Sequence, residues 1–401
     1  MAEWPTVRFH ELSAEEKSAF SKPYGSAITK EDYLPQGIPV VRGVNLGQGI
    51  FLDDEFVFIS EEKADRMPGA NLAPGDLVFT HRGTIGQVSM IPRSPRYDRY
   101  VLSTSQVKAR LDFERALPEF YYYWFIAPGG RHELLGNAST VGVPGIGQPV
   151  ATIKSLKVPH PPLPVQRAIA ALLRALDDKI AVDNRISVTA DELRKLRLSA
   201  FLGSDKGNEE RPLSSVAKFI NGRAFTKDAT GSGRMVVRIA ELNSGPGRAT
   251  VYNDIEVSER HLARPGDILF AWSGSLTVVR WFRPEAIINQ HIFKVVPIDG
   301  VPAWLAFDLV QTKLAVFKGI AADKATTMGH IQRHHLDEPV MVPLGDQIAK
   351  LDAELGPLWD RALLAEQEAQ LLAQLRDTLL PKLMAGEIRV RDAEKVVEDA
   401  L

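Results

Sequence analysis

The sequence predicts an α+β protein: two similar mixed α/β domains, each followed by a long helix, with the helices pairing antiparallel as a coiled coil around an internal pseudo-two-fold repeat. Three observations carry this. Ala73-Pro74-Gly75-Asp76-Leu77-Val78-Phe79 returns about 190 residues later as Arg264-Pro265-Gly266-Asp267-Ile268-Leu269-Phe270, with Pro39-Val40-Val41-Arg42 echoed by Met235-Val236-Val237-Arg238 and Ser105-Gln106 by Asn289-Gln290. Short β-type runs alternate with turn residues in each copy. An apolar-periodic stretch then follows each copy, from near Gln166 and near Gln347. Solenoid units repeat every ~20–50 residues, so this is a duplicated domain, and two like readers on a measured spacer suit a grip on two places of one extended partner.

The first domain is expected over residues 1–160. Its strands are read at Ile38-Pro39-Val40-Val41, Leu77-Val78-Phe79 and Gln87-Val88-Ser89-Met90-Ile91. Pro74-Gly75-Asp76 is a turn feeding a strand, proline fixing φ and glycine permitting an unusual one. Phe120-Tyr121-Tyr122-Tyr123-Trp124-Phe125 follows Pro118 as Trp304-Leu305-Ala306-Phe307 follows Pro302. Both read as short helices whose aromatic rings pack on the sheet; a base-stacking platform is the alternative.

Pro161-Pro162-Leu163-Pro164 ends what precedes it and opens the first spacer helix, expected over 161–203. Its apolar positions are Ile169, Leu172, Leu173, Leu176, Ile180, Ile186, Leu193 and Leu196. A polar link, Gly203 to Glu210, starts the second domain, expected over 204–343. The second helix, over 344–385, has the cleaner heptad: Ile348, Leu351, Leu355, Leu358, Ala362, Ala365, Ala369 and Leu372. Spacings of 3 and 4 sustained over four heptads make a coiled-coil seam, here formed by Ile169, Leu173, Leu176 and Ile180 with Ile348, Leu351, Leu355, Leu358 and Leu372. Gly356-Pro357 should kink or break the second helix, since proline lacks the N–H and crowds the preceding turn. A charged tail occupies 386–401.

The net charge of −2 offers no whole-chain support for nucleic-acid binding. Locally, residues 211–343 carry four more basic than acidic side chains and five of the nine histidines, and Arg93-Ser94-Pro95-Arg96-Tyr97-Asp98-Arg99-Tyr100 interleaves basic and aromatic residues. That run is either a surface meeting phosphate or an ordinary solvated loop. Helices of 30–35 residues at ~1.5 Å per residue form a rod of roughly 45–50 Å, longer than the ~34–36 Å turn of B-DNA. No stretch approaches ~18 consecutive apolar residues, so no membrane partner is expected. Met1-Ala2-Glu3-Trp4-Pro5 does not look like a secretory signal, and there are no cysteines for disulfides, thiolate zinc or thiol nucleophiles. A cytoplasmic location fits best.

Catalytic motifs are missing. No G-x-x-x-x-G-K-[ST] occurs. His132-Glu133 and His10-Glu11 lack the second histidine of a zinc helix, and His330, His334 and His335 have no carboxylates at metal-ligand spacing. Gly142 to Gly147 contains Pro144 and opens no clear helix, and neither Asn-Pro-Pro-Tyr nor Asp-Pro-Pro-Tyr is present. No enzyme and no metal site are expected.

The run from Val158 to Ala170 (Val-Pro-His-Pro-Pro-Leu-Pro-Val-Gln-Arg-Ala-Ile-Ala), continuing through Leu176-Asp177-Asp178-Lys179-Ile180, resembles the first shared region of type I restriction–modification specificity subunits. Leu375-Arg376-Asp377-Thr378-Leu379-Leu380-Pro381-Lys382-Leu383-Met384-Ala385-Gly386-Glu387-Ile388 resembles the second. Tyr24-Gly25-Ser26-Ala27-Ile28 and Phe219-Ile220-Asn221-Gly222-Arg223-Ala224-Phe225 are similar pieces, and the likeness extends along the whole chain. Pro343-Leu344-Gly345-Asp346-Gln347 departs from it by lacking the fuller proline run. The resemblance implies that each domain is a target recognition domain reading one half of an asymmetric, two-part site in double-stranded DNA. The helices would fix the gap and dock two modification (methyltransferase) subunits carrying S-adenosylmethionine. Restriction/translocase subunits would supply ATP- and Mg-dependent chemistry, this chain none. A coiled-coil scaffold whose repeated domains bind protein is the alternative.

Loop chemistry suggests which residues touch DNA. Thr80, His81, Arg82 and Thr84 follow one Pro-Gly-Asp strand, and Trp272, Ser273 and Ser275 follow the other. Glycine lets backbone approach phosphate, while Ser, Thr and Arg donate to phosphates or base edges. Trp272 is either a wedge against DNA or core. Tyr24 and Ser26, Arg223 and Lys227, and Arg96 and Arg99 complete the expected set.

Overall fold

In the computed structural model, which describes residues 4–47, 49–136, 138–139, 142–204, 207–323 and 329–400, the sequence repeat is a repeat of strand order. Met1–Glu3, Asp205 and Lys206 of the polar link, and Leu401 of the tail lie outside the described residues. The chain divides into two units, 1–178 with 372–401, and 179–371.

The first unit runs β1 (Thr6–Arg8), β2 (Phe20–Ser21), β3 (Ile38–Val41), β4 (Val57–Ile59), α1 (Glu61–Asp65), β5 (Asn71–Leu72), β6 (Leu77–Thr80), β7 (Val88–Met90), β8 (Tyr100–Leu102) and β9 (Gln106–Ala109). There follow α2 (Pro118–Ile126), α3 (Pro128–Leu135), β10 (Ala138–Ser139), β11 (Gly145–Ile146), α4 (Pro149–Ser155), β12 (Lys157–Pro159) and the start of α5 (Leu163–Leu202). One four-stranded sheet has the order β2-β9-β6-β7 and the other β4-β3-β8-β5. Among the described strands of this unit only β3 and β8 run parallel, Val40 opposite Val101 and Val41 opposite Leu102. Strands β1 and β12 pair antiparallel, tying the start of the domain to the residues just before α5. The aromatic run forms α2, with Phe120, Tyr121, Tyr123 and Phe125 fully buried and Phe79 edge-on to Phe125 at 4.9 Å. Each such ring contributes roughly 1.5–3 kcal/mol by leaving water, so the run is core.

The second unit runs from within α5 through β13 (Asn208–Pro212), β14 (Ala217–Asn221), β15 (Arg234–Val237), α6 (Ile239–Ser244), β16 (Val251–Asn253), β17 (Leu262–Ala263), β18 (Ile268–Ala271), β19 (Thr277–Arg280), β20 (Ala286–Ile288) and β21 (Ile292–Pro297). Then come α7 (Ala303–Asp323), β22 (Pro339–Pro343) and α8 (Gly345–Met384), whose end belongs to the first unit together with α9 (Val390–Glu398). The sheets are β14-β21-β18-β19 and β16-β15-β20-β17, and β13 pairs with β22. Again one pair is parallel, Val236 opposite Ile287 and Val237 opposite Ile288. The strand order is that of the first unit, position for position. The helix expected to be short after Pro302 is the 21-residue α7, because Trp304, Leu305, Leu309, Val310 and Phe317 keep one apolar face buried along it.

The Pro-Gly-Asp motif owes its repetition to turn chemistry. Gly75 and Gly266 sit at φ +86° and +92°, where a side chain is strained. Asp76 accepts the Ala73 N–H at 2.8 Å and Asp267 the Arg264 N–H at 2.7 Å, each closing its turn. A lysine from the neighbouring strand then crosses over in both copies: Lys108 Nζ lies 2.8 Å from the Asn71 carbonyl, and Lys294 Nζ 2.8 Å from that of Leu262. Arg110 adds a two-pronged bond to Asp76 in the first copy.

The long helices pack together inside each unit. In the first, Ile169 and Leu173 of α5 share a core with Leu379, Leu380, Leu383 and Met384 of α8, and Leu176 is buried. In the second, Lys179 meets Glu368 and Arg197 meets Glu354, at 3.0 and 3.2 Å, so the helices run antiparallel. Leu351, Leu355, Ala362, Ala365 and Ala369 are buried along α8, Leu372 is buried in the first unit, and Ile180, Ile348 and Leu358 are half-buried. Two sequence expectations need correction. Helix α8 continues unbroken through Gly356-Pro357: Leu351, Leu355 and Trp359 anchor both sides of the proline in one core, and the Trp304 indole N–H holds Asp352 at 2.7 Å. Leu193 and Leu196 face outward, because Asp183, Ser187, Ala190, Arg194 and Leu198 take the inward positions of α5 beyond Ile180. Three of those five positions are polar, so apolar spacing could not trace it. Among the described residues, no helix is long and apolar enough to cross a membrane.

Candidate nucleic-acid interface

Strand direction decides which loops meet. In the first unit β2 and β6 both run antiparallel to β9 between them, so the loops after β2 and β6 leave from the edge where β9 begins. Backbone bonds fix this edge: the His81 N–H donates to Ser105 O at 3.0 Å, Ile146 N–H to His81 O at 2.8 Å, and Gly83 N–H to Pro144 O at 3.0 Å. Gly83 has φ +89°. Tyr24, Ser26, Arg82 and Thr84 are exposed here, and Tyr24 presents 87 % of its surface. A ring left this open keeps its apolar faces in water, which burial against a partner would relieve.

The second unit builds the same edge from the same atoms. Strands β14 and β18 flank β21 antiparallel. The Trp272 N–H donates to His291 O at 3.1 Å, Ile331 N–H to Trp272 O at 3.1 Å, and Gly274 N–H to Gly329 O at 2.9 Å. Arg223, Lys227 and Ser275 are exposed along it. Trp272 stacks on Phe293 at 5.7 Å, and its indole N–H donates to Asn221 at 2.9 Å, so its ring is a half-buried edge of the core.

Other expected residues lie differently. Thr80 and Ser273 are buried; Thr80 Oγ1 sits 3.2 Å from Gln87 Oε1. His81 is half-buried, and its Nε2 lies 3.1 Å from Thr104 O. Burial, chiefly, lowers its pKa, which favours the neutral ring. Arg96 and Arg99 precede β8, at the end of the second sheet away from the His81 loop. They pair within the protein: Arg99 with the Asp65 carboxylate at 2.8 Å and the Asn71 amide oxygen at 2.7 Å, Arg96 with Asp54 at 3.4 Å. Those guanidiniums satisfy the protein first. The edges also hold residues not picked out from loops: Lys22, whose charge reaches His81, Ser103 and Thr104 in the first unit, and Asn289 and His291 in the second. The echoed Ser105-Gln106 and Asn289-Gln290 pairs point to this edge, but two residues out of register, since the matched backbone bonds make His291 the counterpart of Ser105. Among the described residues no cluster could hold a metal ion.

Residues 14–190 match the family model described as the type I restriction modification DNA specificity domain. Over that stretch the chain is similar to the type I restriction–modification specificity subunits. The chain is 22% identical over 381 residues to the type I restriction enzyme MjaIX specificity subunit of Methanocaldococcus jannaschii, covering 84% of this chain and 85% of that one. It shares its fold with the crystal structure of the type I restriction–modification S subunit from M. genitalium, with TM-score 0.63, 16% identity, and 95% and 96% of the two chains covered.

Proposed function

We propose that the two repeated domains, residues 1–160 and 204–343, each read one half of an asymmetric two-part site in double-stranded DNA, with the spacer helices (161–203 and 344–385) setting the unread gap. The observation that supports this most is the matched loop edge: one strand order and one set of backbone bonds present Tyr24, Ser26, Arg82 and Thr84 in one copy and Arg223, Lys227 and Ser275 in the other. Like frames with unlike exposed side chains suit two readers of different sequence. The exposed Val182, Leu193 and Leu196 on α5 and Leu364 and Leu371 on α8 offer apolar stripes to two modification subunits, which would bring S-adenosylmethionine and adenine methylation. Restriction subunits would add ATP and Mg.

Because phosphate contacts release counterions, the affinity of the assembled complex for its site should fall steeply with log salt. Arg82→Ala and Arg223→Ala should each flatten that slope by about one where the arginine meets phosphate, or relax selectivity in one half-site only where it reads a base. A response indifferent to salt would instead support a scaffold whose domains bind protein.

A further inference from the structure

The second unit buries a cluster of charges that no loop or strand requires. Arg194 of α5, wholly buried, directs Nε and Nη2 at Asp308 of α7 at 2.8 and 2.9 Å, and Nη1 at Asp191. Arg280 of β19, also buried, grips Glu366 of α8 through Nε and Nη2 at 2.9 Å each, and reaches Asp191 at 3.1 and 3.2 Å. The Trp359 ring of α8 lies 4.4 Å from the Arg280 guanidinium and 5.1 Å from that of Arg194. Ser187 Oγ donates to Glu366 at 3.1 Å. Two guanidiniums and three carboxylates thus join α5, α7, α8 and β19. In the first copy the place of Arg280 is taken by Met90, which faces Leu77 as Arg280 faces Ile268. Among the described residues the Arg280 arm belongs to the second copy only; in the first, Asp177 of α5 accepts from Arg376 of α8 and from Tyr123 of α2, at 2.7 Å each.

We propose that this cluster is the register lock of the helix pair: it fixes how far α5 sits along α8 in the second unit, and so acts as a positioning element that determines the gap between half-sites. The second clause rests on the bipartite reading above; the first does not. Apolar contact has no direction, and a seam of alanines and leucines tolerates a slide of one helical turn. A polar group at a seam position does not, because sliding leaves a buried charge without its partner. Here a one-turn slide of ~5.4 Å would part Arg280 from Asp191 or from Glu366, and Arg194 from Asp308. Since Asp308 and Arg280 belong to the recognition domain, the helices are held to it as well as to each other.

The full chain has no native cysteine, so nitroxide labels at Arg197→Cys and Glu354→Cys, exposed partners 3.2 Å apart, report the register by pulsed dipolar spectroscopy. In an Arg280→Met/Asp191→Leu/Glu366→Leu background, which keeps the Arg194–Asp308 pair, the chain should melt as high as the native one or higher. Its single label distance should split or shift by about 5 Å, and the assembled methyltransferase should modify sites with more than one gap. A folded triple variant with one unshifted distance overturns the lock. Should the triple variant not fold, Arg280→Lys keeps the charge but loses the fork: a broadened distance supports the lock, and a narrow native one overturns it. If the native complex methylates a single undivided site, the bipartite reading fails while the label comparison still decides the register.

Discussion

Leu355→Asp should leave the second unit without a cooperative thermal transition. Leu355 has no exposed surface and sits in α8 among Leu351, Trp359 and the α7 residues Trp304 and Phe307. Losing a fully buried leucine costs about 2–3 kcal/mol in transfer, and a carboxylate placed there without a partner adds several more. The sum, at least about 5 kcal/mol, matches the whole margin of many domains. Leu355→Met keeps volume and polarity and should cost under about 1.5 kcal/mol. Circular dichroism melts of the two variants check this, and an aspartate variant melting like the methionine one would show that α8 is not packed as described.

Arg194→Met should cost about 3–5 kcal/mol, because it strands the buried Asp308 carboxylate, while Asp191 keeps Arg280. At about 2–4 °C per kcal/mol for a unit of this size, that is a fall of roughly 6–20 °C. Adding Asp308→Leu should restore most of it, since a buried pair replaced by apolar groups of like volume is near neutral. The comparison separates a stranded charge from lost packing: a double variant as unstable as the single one would mean that Arg194 acts mainly through its contacts with Phe307 and Trp359.

Much of this was legible in the residues. The Pro-Gly-Asp echo marks β6 and β18 with their common turn, and the aromatic run after Pro118 is the core helix α2, because local signals there agree with what packing needs. Pro357 misleads, since its local cost is outweighed by tertiary contacts on both sides. Asp183, Ser187 and Arg194 on the seam were invisible to an apolar search, their partners lying as far as 179 residues away. Loop residues suffered similarly: polarity alone does not separate Arg82, exposed, from Arg99, which finds Asp65 and Asn71, nor Ser275 from the buried Ser273.

Whether each copy reads its own half of the DNA site is decided by exchanging residues 1–150 for those of a relative with a different known site and sequencing methylated adenines in cells carrying the hybrid. One half-site should change to the relative's while the other half stays as in the parent. Simultaneous change of both halves, or of neither in a hybrid that still methylates, would contradict independent reading by the two domains.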